Sequence, residues 1–339
     1  RYALAVSSCS AALFLALKSL DLPNGARVLM PAFTFAAVPS SVVHANFIPV
    51  LCECGDDYRI DLNDFRKKIK KADAVLISHM RGHTSDMDVI ISECKQAKIP
   101  LIEDAAHSLG TTWHGNKIGT LGDAGCFSFQ SYKMLNAGEG GIFVTDNAEL
   151  FAKAVIMSGA YEHNWMKHQG EHASFKKWQN KLPLYNMRIN NLSAAIIRAQ
   201  LPELNKRIEK GRHNHDFTAE RLNRSPWICV PEKLRPETRA PDSIQFNLID
   251  MNSGEIDLFE KITSLSGLNI QIFGRTKNNA RAFWNWKFLP ETFELPKTRK
   301  MLMTACDVRL PPKLSQDECR TISDVILSAI MTIKNGVAA

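Results

Sequence analysis

The chain has 339 residues, a mass of 38.0 kDa and a formal net charge of +7. Its hydrophobic residues (45%) and charged residues (23%) have the proportions of an ordinary globular protein, and its apolar runs are too short to span a bilayer. The positive charge is spread along the chain without a basic stripe interleaved with aromatics, which argues against a nucleic-acid-binding surface. We therefore expect a cytoplasmic protein of one large or two ordinary domains that binds neither membrane nor nucleic acid.

The eight cysteines predict neither disulfides nor a metal site. They are scattered, and the one close pair, Cys52 and Cys54, has no second pair at zinc-site spacing. Free thiols in a reducing compartment are the simplest interpretation. The polar segment 159–184 contains His163, His168 and His172, and metal binding is the alternative interpretation of that segment. We predict a flexible loop in that segment, serving the substrate or a second subunit.

The N-terminal residues predict a strand followed by a phosphate-binding helix. Tyr2–Val6 has the pattern of a strand, and a serine-rich turn then begins a helix over 11–20. The hydroxyl of Ser10 and the amide of Ala11 would lie at the helix N-terminus, where backbone donors and the helix dipole favour a phosphate. An ordinary serine N-cap is the alternative interpretation. Because the sequence opens directly on this strand and without a methionine, we expect further residues upstream.

Short apolar strands alternate with helices through the following residues. The predicted strands are 27–30, 47–54, 74–79, 99–102, 124–130 and 142–145, and the helices are 40–45, 61–70 and 86–97. This alternation predicts an α/β fold with a mostly parallel sheet and helices on both faces. Right-handed crossovers would bring the carboxyl ends of the strands to one edge, where ligands bind in such sheets. Phe35 follows the first of these strands and would be available there to stack on a planar ring.

The stretch 102–146 carries residues suited to one chemistry. A strand ends in Asp104, His107 lies three residues later, Ser128 lies in the next strand, and Lys133 follows that strand. A lysine amine for a Schiff base, a carboxylate under the pyridine nitrogen and a donor to the ring oxygen are what pyridoxal phosphate (PLP) requires. Each residue alone fits a solvated surface or a helix cap, but their order in one span predicts a PLP site. A Rossmann dehydrogenase fits poorly, because no G-x-G-x-x-G follows the first strand.

The second half of the chain predicts a separate α+β unit. The elements expected there are helices over 148–158, 192–222, 255–266 and 316–333 and strands over 243–250 and 268–273. The helix over 192–222 contains Pro202, which should kink it. We therefore divide the chain into a large PLP-binding domain over 1–190 and a smaller C-terminal domain over 191–339.

Six segments carry a resemblance to a known family. They are SSCSAAL (7–13), PAFTF (31–35), HTSDMD (83–88), the stretch from EDAAHSLG to FVTD (103–146), YNMRINNLSAAIIRAQL (185–201) and VRLPPKLSQDE (308–318). Together they resemble the DegT/DnrJ/EryC1/StrS family of PLP-dependent sugar aminotransferases, and the likeness covers nearly the whole chain. The resemblance implies the fold-type I aminotransferase architecture, with PLP as cofactor and no metal.

The resemblance also implies individual roles. Lys133 would be the Schiff-base lysine and proton shuttle, Asp104 would pair with the pyridine nitrogen, and His107 would contact the 3'-oxygen. The phosphate would be contacted by Ser10, Ala11 and Ser128. Phe35 would stack on the ring face, and Asn186 would reach the phosphate of the neighbouring subunit. Because that last contact joins two subunits, the resemblance implies a homodimer with shared active sites.

The reaction implied by the resemblance is transfer of an amino group from L-glutamate to a keto or aldehyde sugar. The segments SHMRG (78–82), SGAYE (158–162) and ARAFWNW (280–286) resemble a subgroup that includes 8-amino-3,8-dideoxy-manno-octulosonate transaminases and 3-oxo-glucose-6-phosphate aminotransferases. An anionic sugar such as 3,8-dideoxy-8-oxo-manno-octulosonate is therefore the predicted acceptor. Candidate residues for its anionic group are Arg81, Arg188, Arg275 and Arg281. A surface or interdomain ion pair is the alternative interpretation for each of them.

Several alternatives stay open at this point. The acceptor could instead be a 3-oxo sugar phosphate or a nucleotide-linked ketohexose. The family also includes sugar dehydratases in which histidine replaces the lysine, so Lys133 favours transamination. A binding module without turnover is a further alternative. The chain departs from the family pattern at Cys9, where glycine is usual, and at residues 130–132, where a histidine-containing version is commoner.

Overall fold

A computed structural model describes residues 1–289 and 291–336 of the chain. In these residues the chain forms fourteen strands, which are β1 (Tyr2–Val6), β2 (Arg27–Pro31), β3 (Ile48–Cys52), β4 (Ala74–Ser78), β5 (Leu101–Asp104), β6 (Thr112–Trp113), β7 (Asn116–Lys117), β8 (Ala124–Ser128), β9 (Gly141–Thr145), β10 (Ile228–Cys229), β11 (Glu237–Thr238), β12 (Ser243–Leu248), β13 (Gln271–Ile272) and β14 (Ala305–Arg309). The last three residues of the predicted C-terminal domain lie outside the described residues.

Eleven α-helices occur in the same described residues. They are α1 (Cys9–Ser19), α2 (Ala37–His44), α3 (Leu62–Lys68), α4 (Met87–Ala97), α5 (Ala148–Met157), α6 (His172–Trp178), α7 (Asn191–Gln200), α8 (Leu204–Leu222), α9 (Ser253–Leu265), α10 (Pro296–Leu302) and α11 (Gln316–Lys334). None of the described helices has the length and apolar character that crossing a membrane requires.

The large sheet has the strand order β1-β9-β8-β5-β4-β2-β3. Pairing is parallel between β3 and β2, β2 and β4, β4 and β5, and β5 and β8, whereas β9 runs antiparallel to both β8 and β1. The predicted α/β fold with a mostly parallel sheet is thereby confirmed. Strands β2, β4, β5 and β8 all end at one edge of this sheet, and β9 begins there.

The central strands are buried on both faces because helices cover both. In β4, Ala74 and Leu76 belong to one hydrophobic core, while Val75 and Ile77 belong to the core on the opposite face. This alternation is the two-residue period of a strand, and an unbroken apolar run is typical of a parallel strand with helices on both sides. Helix α1 is buried from Ala11 through Leu17, since it packs between the sheet and neighbouring helices.

A second, antiparallel sheet has the order β10-β12-β14-β13. Its own core includes Phe246 of β12, Phe259 of α9 and Ile330 of α11. Residues near 273–305, however, pack into a core of the large sheet, with Phe273 and Leu302 fully buried there. The division of the chain into two domains at residue 190 stays a prediction.

Two predicted helices differ from the observed ones for identifiable reasons. Helix α1 begins at Cys9, two residues earlier than predicted, because its N-cap is Ser8, whose Oγ accepts a hydrogen bond from the Ala11 amide at 3.1 Å. The long helix predicted over 192–222 is interrupted by a 3₁₀ turn, Leu201–Glu203, between α7 and α8. Pro202 lies in this turn, and its missing amide proton explains why the helix does not continue unbroken.

Other predictions for the second half of the chain were incomplete. The segment 159–184 is not simply a loop, because it contains a 3₁₀ helix, Asn164–Lys167, and α6, which are held by buried Trp165 and Phe175. The strand predicted over 268–273 is only the two residues of β13. Strand β14 was missed, although it is central to the second sheet. Its sequence, ACDVR, mixes polar and apolar residues, which hides it from a search for apolar runs.

Candidate active site

A cavity of about 760 Å³ lies at the edge of the large sheet where β2, β4, β5 and β8 end. The N-terminus of α1 forms one part of its wall, and residues of β13 and β14 from the second sheet form another. Six of the eight predicted site residues line this cavity, namely Ser10, Phe35, Asp104, His107, Ser128 and Lys133. Ala11 and Asn186 do not. The topology thus brings together residues that are up to 123 positions apart, from Ser10 to Lys133.

Lys133 and His107 contact each other in the cavity. The Nζ atom of Lys133 lies 2.7 Å from Nε2 of His107. Burial lowers the pKa of Lys133 to about 8, and the positive charge of Arg81 acts in the same direction. Burial also holds the pKa of His107 well below its usual value, with the Lys133 charge as the next cause. The imidazole is therefore neutral near pH 7, and its Nε2 can accept a hydrogen bond from the lysine ammonium.

Asp104 is the last residue of β5 and is only 5% exposed. Its Oδ2 accepts a hydrogen bond from the Ser78 hydroxyl at 2.7 Å, and its Oδ1 accepts one from the Ala106 amide at 3.1 Å. The Cys9 thiol lies 3.9 Å from Oδ1. Burial, followed by the Asp104 charge, raises the pKa of Cys9, so this thiol stays protonated beside the carboxylate. The cavity therefore contains, besides Lys133, a carboxylate that is held in place by hydrogen bonds.

Glu103, which precedes Asp104 in the sequence, has a structural role on the opposite face of β5. Its carboxylate accepts hydrogen bonds from the backbone amides of Gly119, Leu121 and Gly122 at 2.7–2.8 Å, and it lies 3.2 Å from the His79 ring. These contacts fix the loop between β5 and β8 to the strand that carries Asp104. Adjacent carboxylates thus have separate roles because successive side chains point to opposite faces.

A close backbone contact brings the N-terminus of α1 to the edge of the sheet. A Cβ atom on Gly141, the first residue of β9, would lie 2.4 Å from the carbonyl carbon of Ser8 and 2.6 Å from the Cys9 nitrogen. Only glycine allows that approach. Ser10 is exposed in the first turn of α1, whereas Ala11 is 7% exposed and its amide is engaged by the Ser8 hydroxyl. Any contact of Ala11 with a phosphate stays a prediction.

Comparison with known proteins identifies the chain. The sequence profile of the DegT/DnrJ/EryC1/StrS aminotransferase family matches residues 1–327. The chain belongs to this family. Family members use PLP, and PLP is the cofactor of this aminotransferase fold.

Two curated relatives show how the similarity is distributed. GDP-perosamine synthase of Vibrio cholerae is 34% identical over 214 residues, which is 62% of this chain but only 56% of the relative's length. The spore coat polysaccharide biosynthesis protein SpsC of Bacillus subtilis is 32% identical, covering 99% of this chain and 86% of the relative. The match thus spans little more than half of the first relative and most of the second.

Solved structures show the same fold. Helicobacter pylori PseC, an aminotransferase involved in the biosynthesis of pseudoaminic acid, superposes with a TM-score of 0.86 at 18% identity, over 98% of this chain and 87% of that one. The PLP form of Spr1654 from Streptococcus pneumoniae gives a TM-score of 0.84 at 19% identity, over 98% and 87%. The fold-type I architecture is therefore that of the DegT/DnrJ/EryC1/StrS aminotransferases.

In this family member, the four arginines predicted for an anionic substrate do not lie together. Arg81 and Arg281 line the cavity, but Arg188 and Arg275 do not. Arg188 donates to the Gly159 carbonyl at 2.9 Å in a separate surface depression. Arg275 forms ion pairs with Asp257 and Glu260. Of the four candidates, only Arg81 and Arg281 can therefore meet an anionic group in this cavity.

The two cavity arginines differ in how their charge is balanced. Arg81 forms an ion pair with Asp307 of β14. Arg281 donates to the side-chain oxygen of Gln271 at 3.2 Å and lies over the rings of Phe35 and Phe273, 5.6 and 5.8 Å from their centroids. Among the described residues, no carboxylate pairs with Arg281. Burial, with Arg81 as the next cause, lowers the pKa of Arg281 to about 10, so it remains cationic at neutral pH.

The structure adds cavity residues that sequence analysis missed. Arg309 of β14 lines the cavity, pairs with Asp242 at 3.2 Å and donates to the Tyr132 carbonyl at 2.6 Å, beside Lys133. Asp307 comes from the same strand. Both were missed because β14 itself was missed, although the resemblance already included the VRLPPKLSQDE segment that begins within it. Ser78 does not line the cavity but donates to Asp104. It was missed because a serine at a strand end carries no signal until the strand next to it is known.

Proposed function

We propose that the chain is a PLP-dependent aminotransferase that moves an amino group from L-glutamate to a keto or aldehyde sugar. The observation that carries this proposal is the presence of Lys133, with its pKa lowered to about 8, and the buried carboxylate of Asp104 in one cavity. When bound, PLP supplies an electron sink that stabilises charge at the carbon being aminated. Donor and acceptor would enter the same cavity in turn.

The residues present fit this cofactor. An amine with a lowered pKa is a competent nucleophile near neutral pH, and Lys133 would bind the cofactor and carry protons between substrate and cofactor atoms. Asp104 would face the pyridine nitrogen, and His107 the 3'-oxygen. Phe35, with 43% of its surface exposed in the cavity, offers a flat apolar face for the ring. The hydroxyls of Ser10 and Ser128, with the N-terminus of α1, are suited to the phosphate.

We further propose an anionic sugar such as 3,8-dideoxy-8-oxo-manno-octulosonate as the acceptor. The support is Arg281, a cavity guanidinium balanced by neutral groups and aromatic rings rather than by a carboxylate. A substrate carboxylate would complete its charge pairing, and a planar guanidinium matches a carboxylate in two parallel hydrogen bonds. A sugar phosphate would present similar chemistry and is the second candidate.

A homodimer with shared active sites is part of the proposal. Asn186, expected to reach the partner's phosphate, is exposed and outside its own cavity. Helix α7 presents Leu192 and Ile196 to solvent, 73% and 42% exposed, and Leu201 follows at 51%. A second copy of the chain would bury this apolar surface. The eight unpaired thiols support a reducing compartment, and we place the enzyme in the cytoplasm.

The test is amino transfer from labelled donor. Purified protein with PLP and ¹⁵N-labelled L-glutamate is offered the 8-oxo octulosonate, a 3-oxo sugar phosphate and a nucleotide-linked ketohexose in separate reactions, and the sugars are examined by mass spectrometry. We expect ¹⁵N in the octulosonate product and none with Lys133→Ala. Labelling of a nucleotide-linked sugar alone would contradict the anionic free-sugar acceptor. A sugar that loses oxygen without gaining ¹⁵N would identify a dehydratase.

A further inference from the structure

A row of hydroxyls leads across the carboxyl edge of the large sheet to Asp104. The Thr34 hydroxyl donates to the Ser78 Oγ at 2.8 Å, and the Ser78 hydroxyl donates to the Asp104 Oδ2 at 2.7 Å. The three residues lie at or just after the ends of neighbouring strands, because the sheet order is β5-β4-β2. Ser78 is the last residue of β4 and is the register partner of Asp104, while Thr34 follows β2 by three residues.

The direction of these hydrogen bonds follows from the groups themselves. An ionised carboxylate can only accept, so the single proton of the Ser78 hydroxyl points to Asp104. The lone pairs of Ser78 are then left to accept the Thr34 proton. Hydroxyls linked in one direction polarise one another, and a bond that ends on a charged group is stronger than one between neutral groups.

The burial of Thr34 and Ser78 indicates that this row of hydroxyls affects the cavity only through Asp104. Thr34 is fully buried, Ser78 is 6% exposed, and neither lines the cavity, whereas Asp104 does. A buried hydroxyl costs free energy unless it is hydrogen-bonded, so packing alone would be served as well by alanine or valine. The remaining oxygen of Asp104 is held by the Ala106 amide. Both carboxylate oxygens are therefore fixed from the protein side.

We propose that Ser78, supported by Thr34, is a positioning residue that fixes the Asp104 carboxylate toward the cofactor's ring nitrogen. This inference rests on the proposed function, since it requires PLP in the cavity. Ser78 does not touch the cofactor or the substrate. It restricts Asp104 to one orientation, so that the carboxylate need not reorganise when the cofactor binds.

The test compares two cofactors on protein freed of PLP. One is PLP, and the other is an analogue with carbon in place of the ring nitrogen. Affinity is measured by absorption titration for wild type, Ser78→Ala, Ser78→Thr and Thr34→Val. The control is Ser323→Ala, which removes a buried hydroxyl of α11 that donates to the Cys319 carbonyl, away from the cavity.

We expect wild type to prefer PLP over the analogue and Ser78→Ala to lose most of that preference. PLP binding should weaken roughly tenfold or more, as for a lost hydrogen bond to a charged group, with little change for the analogue. Thr34→Val should reduce the preference for PLP in the same way but by a smaller factor. Ser78→Thr, which keeps a hydroxyl, and the control Ser323→Ala should both retain the wild-type preference.

The outcomes separate the inference from the proposed function. If wild type does not bind PLP, the proposed function fails. If wild type prefers PLP and both Ser78→Ala and Thr34→Val keep the full preference, only the positioning role is wrong. Equal weakening for both cofactors would indicate a merely structural role and would also overturn the inference. Should Ser78→Ala not fold, the nearly isosteric Thr34→Val decides the question.

Discussion

Lys133 is the residue whose ionisation should be easiest to observe. Its pKa is lowered to about 8, chiefly by burial. The nucleophile is the neutral amine, and the neutral fraction rises as pH rises through the pKa of the folded protein. We therefore predict that the rate at which cofactor-free protein captures PLP increases with pH and levels off above about pH 8.

Rapid-mixing absorption measurements over a pH series would follow this rate. Lys133→Ala is the control and should show no capture at any pH. A wild-type rate that continues to rise steeply through pH 10 would mean that the lysine has an ordinary pKa and is not held in a buried site.

Arg281 is the residue on which the proposed anionic acceptor depends. We predict that Arg281→Gln raises the KM for an anionic acceptor by roughly 10- to 100-fold, the loss expected for a charge-assisted hydrogen bond, and leaves a neutral acceptor unaffected. Steady-state kinetics with acceptor pairs that differ only in the anionic group would measure this.

The matched control is Arg275→Gln, which removes an arginine that is ion-paired to Asp257 and Glu260 outside the cavity. It should leave both KM values unchanged. If Arg281→Gln impaired only the half-reaction with L-glutamate, Arg281 would recognise the donor and the acceptor proposal would lose its support.

For individual residues, the sequence pattern predicted those polar side chains that lie at or directly after the ends of strands. Asp104 and Lys133 could be predicted because strand ends gather at one edge of a parallel sheet. Ser78 could not, because its importance depends on a register between two strands rather than on its neighbours in sequence. Nor could the sequence pattern distinguish Arg281, which lines the cavity, from Arg275, which is ion-paired to Asp257 and Glu260 outside it.

Among the elements, the contact between β9 and α1 constrains the site most tightly. We predict that Gly141→Ala destabilises the protein by about 1–3 kcal/mol, the usual cost of overpacking, because the added methyl would overlap the Ser8–Cys9 peptide. The displaced N-terminus of α1 should also weaken PLP binding. Urea unfolding and a PLP titration would measure the two effects.

Gly254→Ala provides the control. Gly254 lies in the first turn of α9, and its added methyl would meet only the Asn252 side chain at 3.4 Å, so we expect little change or a slight stabilisation. Stability and PLP affinity of Gly141→Ala equal to wild type would show that the close approach of β9 to α1 is not required.

The large-sheet elements were predictable because each is a short apolar run between turn or helix signals. Most boundaries shifted by only a few residues, as for β4, predicted over 74–79 and observed as Ala74–Ser78. The short strands β6, β7, β10 and β11 were not predictable, since two residues carry no periodicity. Helix α10 was not predicted; it begins at Pro296, in the first turn, where the missing amide proton of proline is tolerated.

For the whole molecule, the cavity depends on two sheets and, in our proposal, on two subunits. If Asn186 completes the partner's site, a dimer containing one Lys133→Ala chain and one Asn186→Ala chain has one intact site and one doubly altered site. We predict that each variant alone is inactive or strongly impaired, and that the randomly mixed pair recovers about a quarter of wild-type activity. Co-expression followed by activity assay and mass measurement in solution would test this.

The mixed pair needs two checks. The purified mixture should have twice the 38.0 kDa chain mass, and mixing Lys133→Ala with Lys133→Ala should recover nothing. Activity in the mixture no higher than in the variants alone would exclude a shared site, and a mass of one chain would exclude the dimer. Sequence pattern could indicate such a dimer only through resemblance, because an exposed apolar helix face does not identify what covers it.

The central claim, that Lys133 binds PLP for amino transfer, is tested most directly by an absorption spectrum. Purified protein is mixed with PLP, freed of excess cofactor and scanned before and after addition of L-glutamate, with Lys133→Ala in parallel. We predict a visible band of lysine-bound cofactor in wild type that disappears with glutamate as the amine form of the cofactor accumulates, and no such band in Lys133→Ala. A wild-type protein without the band, or a Lys133→Ala protein with the same band and the same response, would contradict the assignment.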